Sequence, residues 1–166
     1  MFRFLFTTFF FVNFLIAQEP SLALLKTVYN NGFLVLEDNM QKLTCKPYGI
    51  YTLEDLFFNP KENKSCQKAI VNFYNENKAL EYFALNSLHV NQMYHYEMRN
   101  NRCILYVKGE MTYAEVLLKQ GLAYVRQNMT DNEFKYSFFK IEKNARYKRT
   151  GLWKTTIPFI CQASQY

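Results

Sequence analysis

The chain has 166 residues, with 20 Lys and Arg against 14 Asp and Glu, for a net charge of +6. That length supports one substantial core and excludes two comfortable ones, and the basic balance suits an anionic partner without demanding it. Cys45, Cys66, Cys103 and Cys161 show no Cys-x-x-Cys spacing and no paired His motif accompanies them, which speaks against a zinc site.

Residues 1–17 carry one positive charge, Arg3, then a long apolar run that ends at Ala17 before polar Gln18 and Glu19. This reads as an export signal, since the run between Arg3 and Gln18 is shorter than the roughly 20 residues of a spanning helix. The expectation is an exported protein, periplasmic or secreted, with no stable membrane span once the signal is cleaved. An oxidising destination permits disulfides, and four cysteines allow three pairings. Removing Arg3 leaves nineteen basic residues against the fourteen acids, so the mature chain stays basic.

From Ala23 to Tyr51 short apolar runs are broken at Asn30-Asn31-Gly32 and at Glu37-Asp38-Asn39, the pattern of a three-strand meander. Asn59-Pro60-Lys61-Glu62 then offers an N-cap, a first-turn proline and an acid. Cys66, Ala69, Ile70, Phe73, Tyr74 and Leu80 follow at helical spacing. Residues 83–98 lack that stripe, and Tyr94, Tyr96 and Met98 alternate with His95 and Glu97 as a half-buried strand would. Arg99-Asn100-Asn101 supplies a turn into a second strand, Arg102 to Val107, and Lys108-Gly109-Glu110 turns again. Thr112 and Glu115 form a capping box for a helix packing through Ala114, Leu117, Leu118 and Gly121. A last helix opens at Thr130-Asp131-Asn132-Glu133 and packs through Phe134, Phe138, Ile141 and Ala145. With no repeat, low-complexity tract or linker, this order predicts an α+β fold. Its expected form is a five-stranded Greek-key barrel of the oligonucleotide-binding type, with three helices outside it. The domain is expected over 18–156, with 157–166 as a tail.

The stretch from Arg102 to Trp153 resembles the staphylococcal-nuclease (thermonuclease-like) family: an Arg-led strand, a turn, a helix ending Gln120-Gly121-Leu122-Ala123, and a last helix before Trp153. Upstream, Lys46-Pro47-Tyr48-Gly49-Ile50-Tyr51-Thr52-Leu53-Glu54 is similar to the family's Arg-Leu-x-Gly-Ile-Asp-Thr-Pro-Glu segment. The resemblance, from about Leu25 to Trp153, implies a catalytic set of Glu54 as general base with Lys46 and Arg102 as phosphate clamp. For Arg102 it requires a two-residue deletion in the following turn. It places Arg99 where the family has a phosphate-binding Lys. It also implies Cys66 with Cys161 as a disulfide, which leaves Cys45 and Cys103 to pair or stay free.

The family's calcium ion is held by Asp residues, and the resemblance puts Gly32 or a neighbouring Asn at one of those places and Tyr51 at the other. A calcium site needs several hard oxygen ligands, so no metal ligand is assigned. Gln127 and Met129 fall where base-stacking tyrosines are expected. The resemblance therefore implies a thermonuclease-like domain that binds nucleic acid or another phosphate-containing ligand, with phosphodiesterase activity weakened or lost. The alternatives are an active calcium-dependent nuclease on DNA or RNA, with calcium as cofactor, and an envelope protein-interaction domain that uses the aromatic-rich surface and the Ile157–Cys161 tail.

Apart from the resemblance, Glu54 reads as a solvated loop acid and Arg102 as a surface charge. Lys135, Lys140, Lys143, Arg146, Lys148, Arg149 and Lys154 face one acid, Glu142, along the last helix. This is either the solvated face of that helix or a phosphate-backbone track, with Lys140, Lys143 and Arg146 as candidate contacts. His89 and His95 carry no carboxylate pattern and no hypothesis, and most Tyr and Phe lie on core-type stripes.

Overall fold

Alternating apolar residues give the first strands one inward face each. In β1 (Ser21–Asn30) these are Ala23 and Leu25, and in β2 (Phe33–Asp38) Leu34 and Leu36, all four wholly buried. The computed structural model describes residues 20–59 and 64–161. The expected signal at 1–17, the Pro60-Lys61-Glu62 helix start and the end of the tail lie outside the described residues.

β3 (Gln41–Cys45) returns from β2 through Asn39 and Met40, whose φ values of 49° and 66° make the left-handed pair of a tight hairpin. Glu37 and Asp38, expected in that turn, instead finish β2, where they pair with Lys42 and Gln41. The same turn chemistry joins β5 (Met93–Arg99) to β6 (Arg102–Lys108), with φ of 50° at Asn100 and 58° at Asn101. With β7 (Met111–Thr112), the antiparallel order is β3-β2-β1-β5-β6-β7.

β1 pairs with both β2 and β5, and two register shifts against β2 supply the bend this requires. The sheet closes where the segment after β3 meets β6. Cys103 N donates to Lys46 O at 2.8 Å, Tyr48 N donates to Cys103 O at 2.9 Å, and a Cys45–Cys103 disulfide staples the seam. Five long strands thus form the expected barrel. A small pair not foreseen in the sequence, β4 (Ile50–Thr52) with β8 (Ala123–Val125), stands beside it.

Among the described residues three longer helices are present: α2 (Lys64–Glu76), α5 (Tyr113–Gln120) and α6 (Asn132–Tyr147). Shorter ones are α1 (Leu53–Phe57), α3 (Lys78–Glu81), α4 (Phe83–Ser87) and α7 (Ile157–Ile160), with a 3-10 turn at Gly151–Lys154. Two expectations need correction. Leu80 does not extend α2, because Asn77 leaves the helical region (φ −132°, ψ 59°) and its Nδ2 donates to Phe73 O. Residues 83–87, expected to lack helix for want of a helical stripe, are helical, with Ala84 buried. α6 starts within the expected Thr130–Glu133 segment, capped by Asp131, whose carboxylate accepts from Glu133 N. The box at Thr112 and Glu115 is present with both reciprocal bonds.

The two C-terminal motifs are parts of one contact. Gly121 ends α5 in the left-handed region (φ 64°), and its carbonyl accepts from Leu152 N. A Cβ on Gly121 would lie 2.2 Å from Thr150 O, and one on Gly151 2.3 Å from Gln120 O. Only two glycines let these backbones touch. Cys66 joins Cys161, as the resemblance implied, so the start of the tail is tied to α2, and Ile157 is buried. Replacing Gly121 by Ala combines a left-handed penalty with a backbone clash. It should lower unfolding stability by at least about 2 kcal/mol, measurable by urea denaturation, while Gly109→Ala, with nothing within 4 Å of its Cβ, should cost less.

Candidate functional site

Two turns meet to make the cleft. Gly32, between β1 and β2, lies so close under Thr52 that a Cβ would sit 2.3 Å from Thr52 Oγ1. Thr52 caps α1, and Asp55 completes a capping box by accepting from Thr52 N at 3.1 Å. This contact sets Asn30, Gly32 and Phe33 on one wall of a cleft of about 220 Å³, with Lys46, Glu54, Asp55 and Phe58 on the rest. Lys46 is exposed, its ammonium 5.8 Å from the Phe33 ring centre. Phe58 is 71% exposed at the rim, and the equally open Tyr29 ring packs 5.2 Å from Phe33.

Glu54 turns from this cleft into the fold. Its Oε1 accepts from the Tyr74 hydroxyl at 2.8 Å and from Asn31 Nδ2 at 3.2 Å, while Oε2 is buried with no partner among the described residues. Burial pushes the carboxyl above its usual range, although the hydrogen bonds from Tyr74 and Asn31 pull against it. The Tyr74 phenol is raised as well, by its own burial and by the Glu54 charge.

Asn31, read from the sequence as a turn residue beside the Gly32 position of a family metal-ligating Asp, is fully buried. Its Nδ2 also donates to Leu80 O at 2.9 Å, its Oδ1 accepts from Ala84 N at 2.8 Å, and its backbone carbonyl accepts from the Tyr113 hydroxyl at 3.1 Å.

Arg102 lies at the start of β6, outside the cleft wall but bonded to it. Nη1 donates to Pro47 O, Ile50 O and Asp55 Oδ2, at 3.2, 3.2 and 3.3 Å, and Nη2 to Asp55 Oδ1 at 3.4 Å. Arg99, its partner across the hairpin, points away to the start of α6 and takes three carboxylates, Glu97, Asp131 and Glu133, at 2.7–2.8 Å. Its desolvation opposes the charge, but those carboxylates hold the guanidinium more firmly protonated than usual.

Lys140 and Lys143 are exposed along α6, apart from the cleft. Arg146 is exposed too, pairing with Glu142 at 3.1 Å and lying 4.3 Å from the Trp153 ring centre. Glu142 is not part of a solvated face. It is 3% exposed on the stripe of Phe134, Phe138 and Ala145, where Oε1 also accepts from Val125 N.

One cation at this site has no expectation attached to it. Arg126, just past β8, donates Nε to Ile50 O at 3.2 Å, and its guanidinium lies 4.1 Å from the centre of the Tyr51 ring. A charge directly after the apolar run Ala123-Tyr124-Val125 was the only sequence signal for it.

The sequence model described as "Staphylococcal nuclease homologue" matches residues 59–155, more than half of the chain. The protein belongs to that family, whose name is that of a nuclease. The match begins beyond Lys46, Tyr51 and Glu54. Among curated proteins, none matches the chain.

A calcium ion is the cofactor that the resemblance implies, and the residues in place do not fit it. Among the described residues no group of three or more His, Cys, Asp or Glu could hold a metal ion. Asp55 is taken by Thr52 and Arg102, and Glu54 by Tyr74 and Asn31. The Glu54 surroundings have a measurable consequence. A carboxyl whose pKa is raised on folding keeps its proton longer in the native state, so its contribution to stability is full below the unfolded value. That contribution is lost as pH climbs from about 4.5 through the raised value. Glu142 acts in the same direction. Glu54→Gln should therefore flatten, by up to one proton, the fall of unfolding free energy with rising pH above 4.5, as read from denaturation across pH.

Proposed function

We propose that this domain binds single-stranded nucleic acid, or another ligand with exposed phosphates, and has lost most or all metal-dependent phosphodiester cleavage. The observation that carries the reading is the commitment of the two residues hydrolysis would need. Glu54 is held by Tyr74 and Asn31, and Arg102 by Asp55 and two backbone carbonyls. A general base must have an oxygen within reach of the attacking water, and Glu54 Oε1 is already taken by the Tyr74 hydroxyl and Asn31 Nδ2. The absence of acids at Gly32 and Tyr51 supports the same conclusion, because neutral side chains do not offset the charge of a calcium ion.

Binding asks for less. Lys46 is exposed at the cleft and has no carboxylate partner among the described residues, and the exposed rings of Phe58 at the rim and of Tyr29 beside Phe33 offer stacking surface, a different aromatic set from the one the family places at Gln127 and Met129. Lys140 and Lys143 extend positive charge along α6, and Arg146 adds a guanidinium partly balanced by Glu142. Arg99 is left out of the proposed contacts because three carboxylates already hold it. Export from the cytoplasm is supported by the two disulfides, which form in oxidising compartments. No helix among the described residues is long and apolar enough to cross a membrane.

The test is incubation of the oxidised protein with single-stranded DNA and RNA, in calcium and in chelator. The expected result is salt-sensitive binding without cleavage in either condition. Phe58→Ala should weaken that binding by about 1–3 kcal/mol if a base stacks there. Calcium-dependent cleavage that disappears in Glu54→Gln would restore the nuclease reading. No binding at low salt would leave the protein-interaction reading.

A further inference from the structure

Two guanidiniums and one carboxylate meet around Tyr51. Arg102 and Arg126 both donate to Ile50 O at 3.2 Å, and their guanidinium carbons lie 5.9 and 4.1 Å from the Tyr51 ring centre. Asp55 balances Arg102 by accepting from both of its terminal nitrogens. Arg126 has no such partner. Its Nε is used on the carbonyl and one face rests on Tyr51, while Nη1 and Nη2 have no acceptor among the described residues. Burial, and then the Arg102 charge, lower its pKa, the direction expected of a desolvated cation next to a like charge; Tyr51 and Asp55 only partly offset them. Arg126 is nonetheless part-exposed, so a ligand can reach it.

A guanidinium that is held rigidly at one nitrogen and one face, with its outer edge open, is preorganised for the two oxygens of a phosphate. Tyr51 stands where the resemblance puts a metal-ligating Asp. Resting on the phosphate-binding reading above, we propose that Arg126, stacked on Tyr51 beside Arg102, forms a metal-independent seat for a phosphate group. A fixed side-chain cation thereby supplies the positive charge that a metal ion would otherwise bring. The ligand class is a phosphate with two free oxygens, from a nucleic-acid backbone or from a small polyphosphate.

Calorimetric titration of the oxidised protein with inorganic pyrophosphate in chelator, alongside anisotropy with a labelled oligothymidylate, separates the two sources. Arg126→Gln should weaken pyrophosphate binding by about tenfold or more. Arg126→Lys, which keeps the charge without the fork, should fall between. Lys119→Gln, a charge removed on α5, should bind as the unaltered protein does, and calcium should not tighten binding. Melting curves for each variant separate a lost seat from a lost fold. Unchanged pyrophosphate binding in a folded Arg126→Gln, or none in the unaltered protein, overturns the seat. If the oligonucleotide still binds in that case, the nucleic-acid reading stands without the seat. Arg126-dependent pyrophosphate binding with no oligonucleotide binding upholds the seat and removes the nucleic-acid reading.

Discussion

Asn31 is a turn residue with no exposed surface, and the way its polar atoms are satisfied ties the molecule together. From the β1–β2 turn it reaches the α1 carboxylate of Glu54, the α2 hydroxyl of Tyr74, the Leu80 carbonyl in α3 and the Ala84 amide in α4. Its own carbonyl takes the Tyr113 hydroxyl from α5. A buried amide left without partners costs about 1–3 kcal/mol per lost group, so each element is constrained to meet the same point. One side chain thus fixes how the helices sit against the barrel end where the cleft opens.

That constraint also bears on Glu54. The hydrogen bonds that anchor it to Asn31 and Tyr74 draw its carboxylate into the fold, and burial favours its neutral form. Charge is distributed by the same logic. Arg99, Arg102 and Arg146 are bound to carboxylates, whereas Lys46 at the cleft and Arg126 over Tyr51 have no carboxylate partner among the described residues.

Features encoded by neighbouring residues could be read from the chain. The Thr112–Glu115 capping box, the Asn100-Asn101 hairpin and the alternation in β5 depend on contacts within a few positions, and the five-strand order followed from them. The Gly121 and Gly151 motifs were legible as signatures, but not as one mutual contact. Features depending on distant partners escaped. Asn31 showed only its place in a turn beside Gly32, because its partners lie 23 to 82 positions away. Glu142 looked like a surface acid because its polarity masked its place on the buried stripe. Arg126 belonged to no periodic pattern, and its role depends on Tyr51 and Ile50, far off in sequence. α3 and α4 are too short to show a helical period.

The central claim is that this member of the family keeps a place for phosphate and has no place for the metal. Calorimetric titration of calcium into the oxidised protein tests it most directly, without depending on the choice of nucleic acid. The account predicts no saturable heat up to millimolar calcium and no change in melting temperature. Single-site binding in the micromolar range that Glu54→Gln abolishes would contradict it.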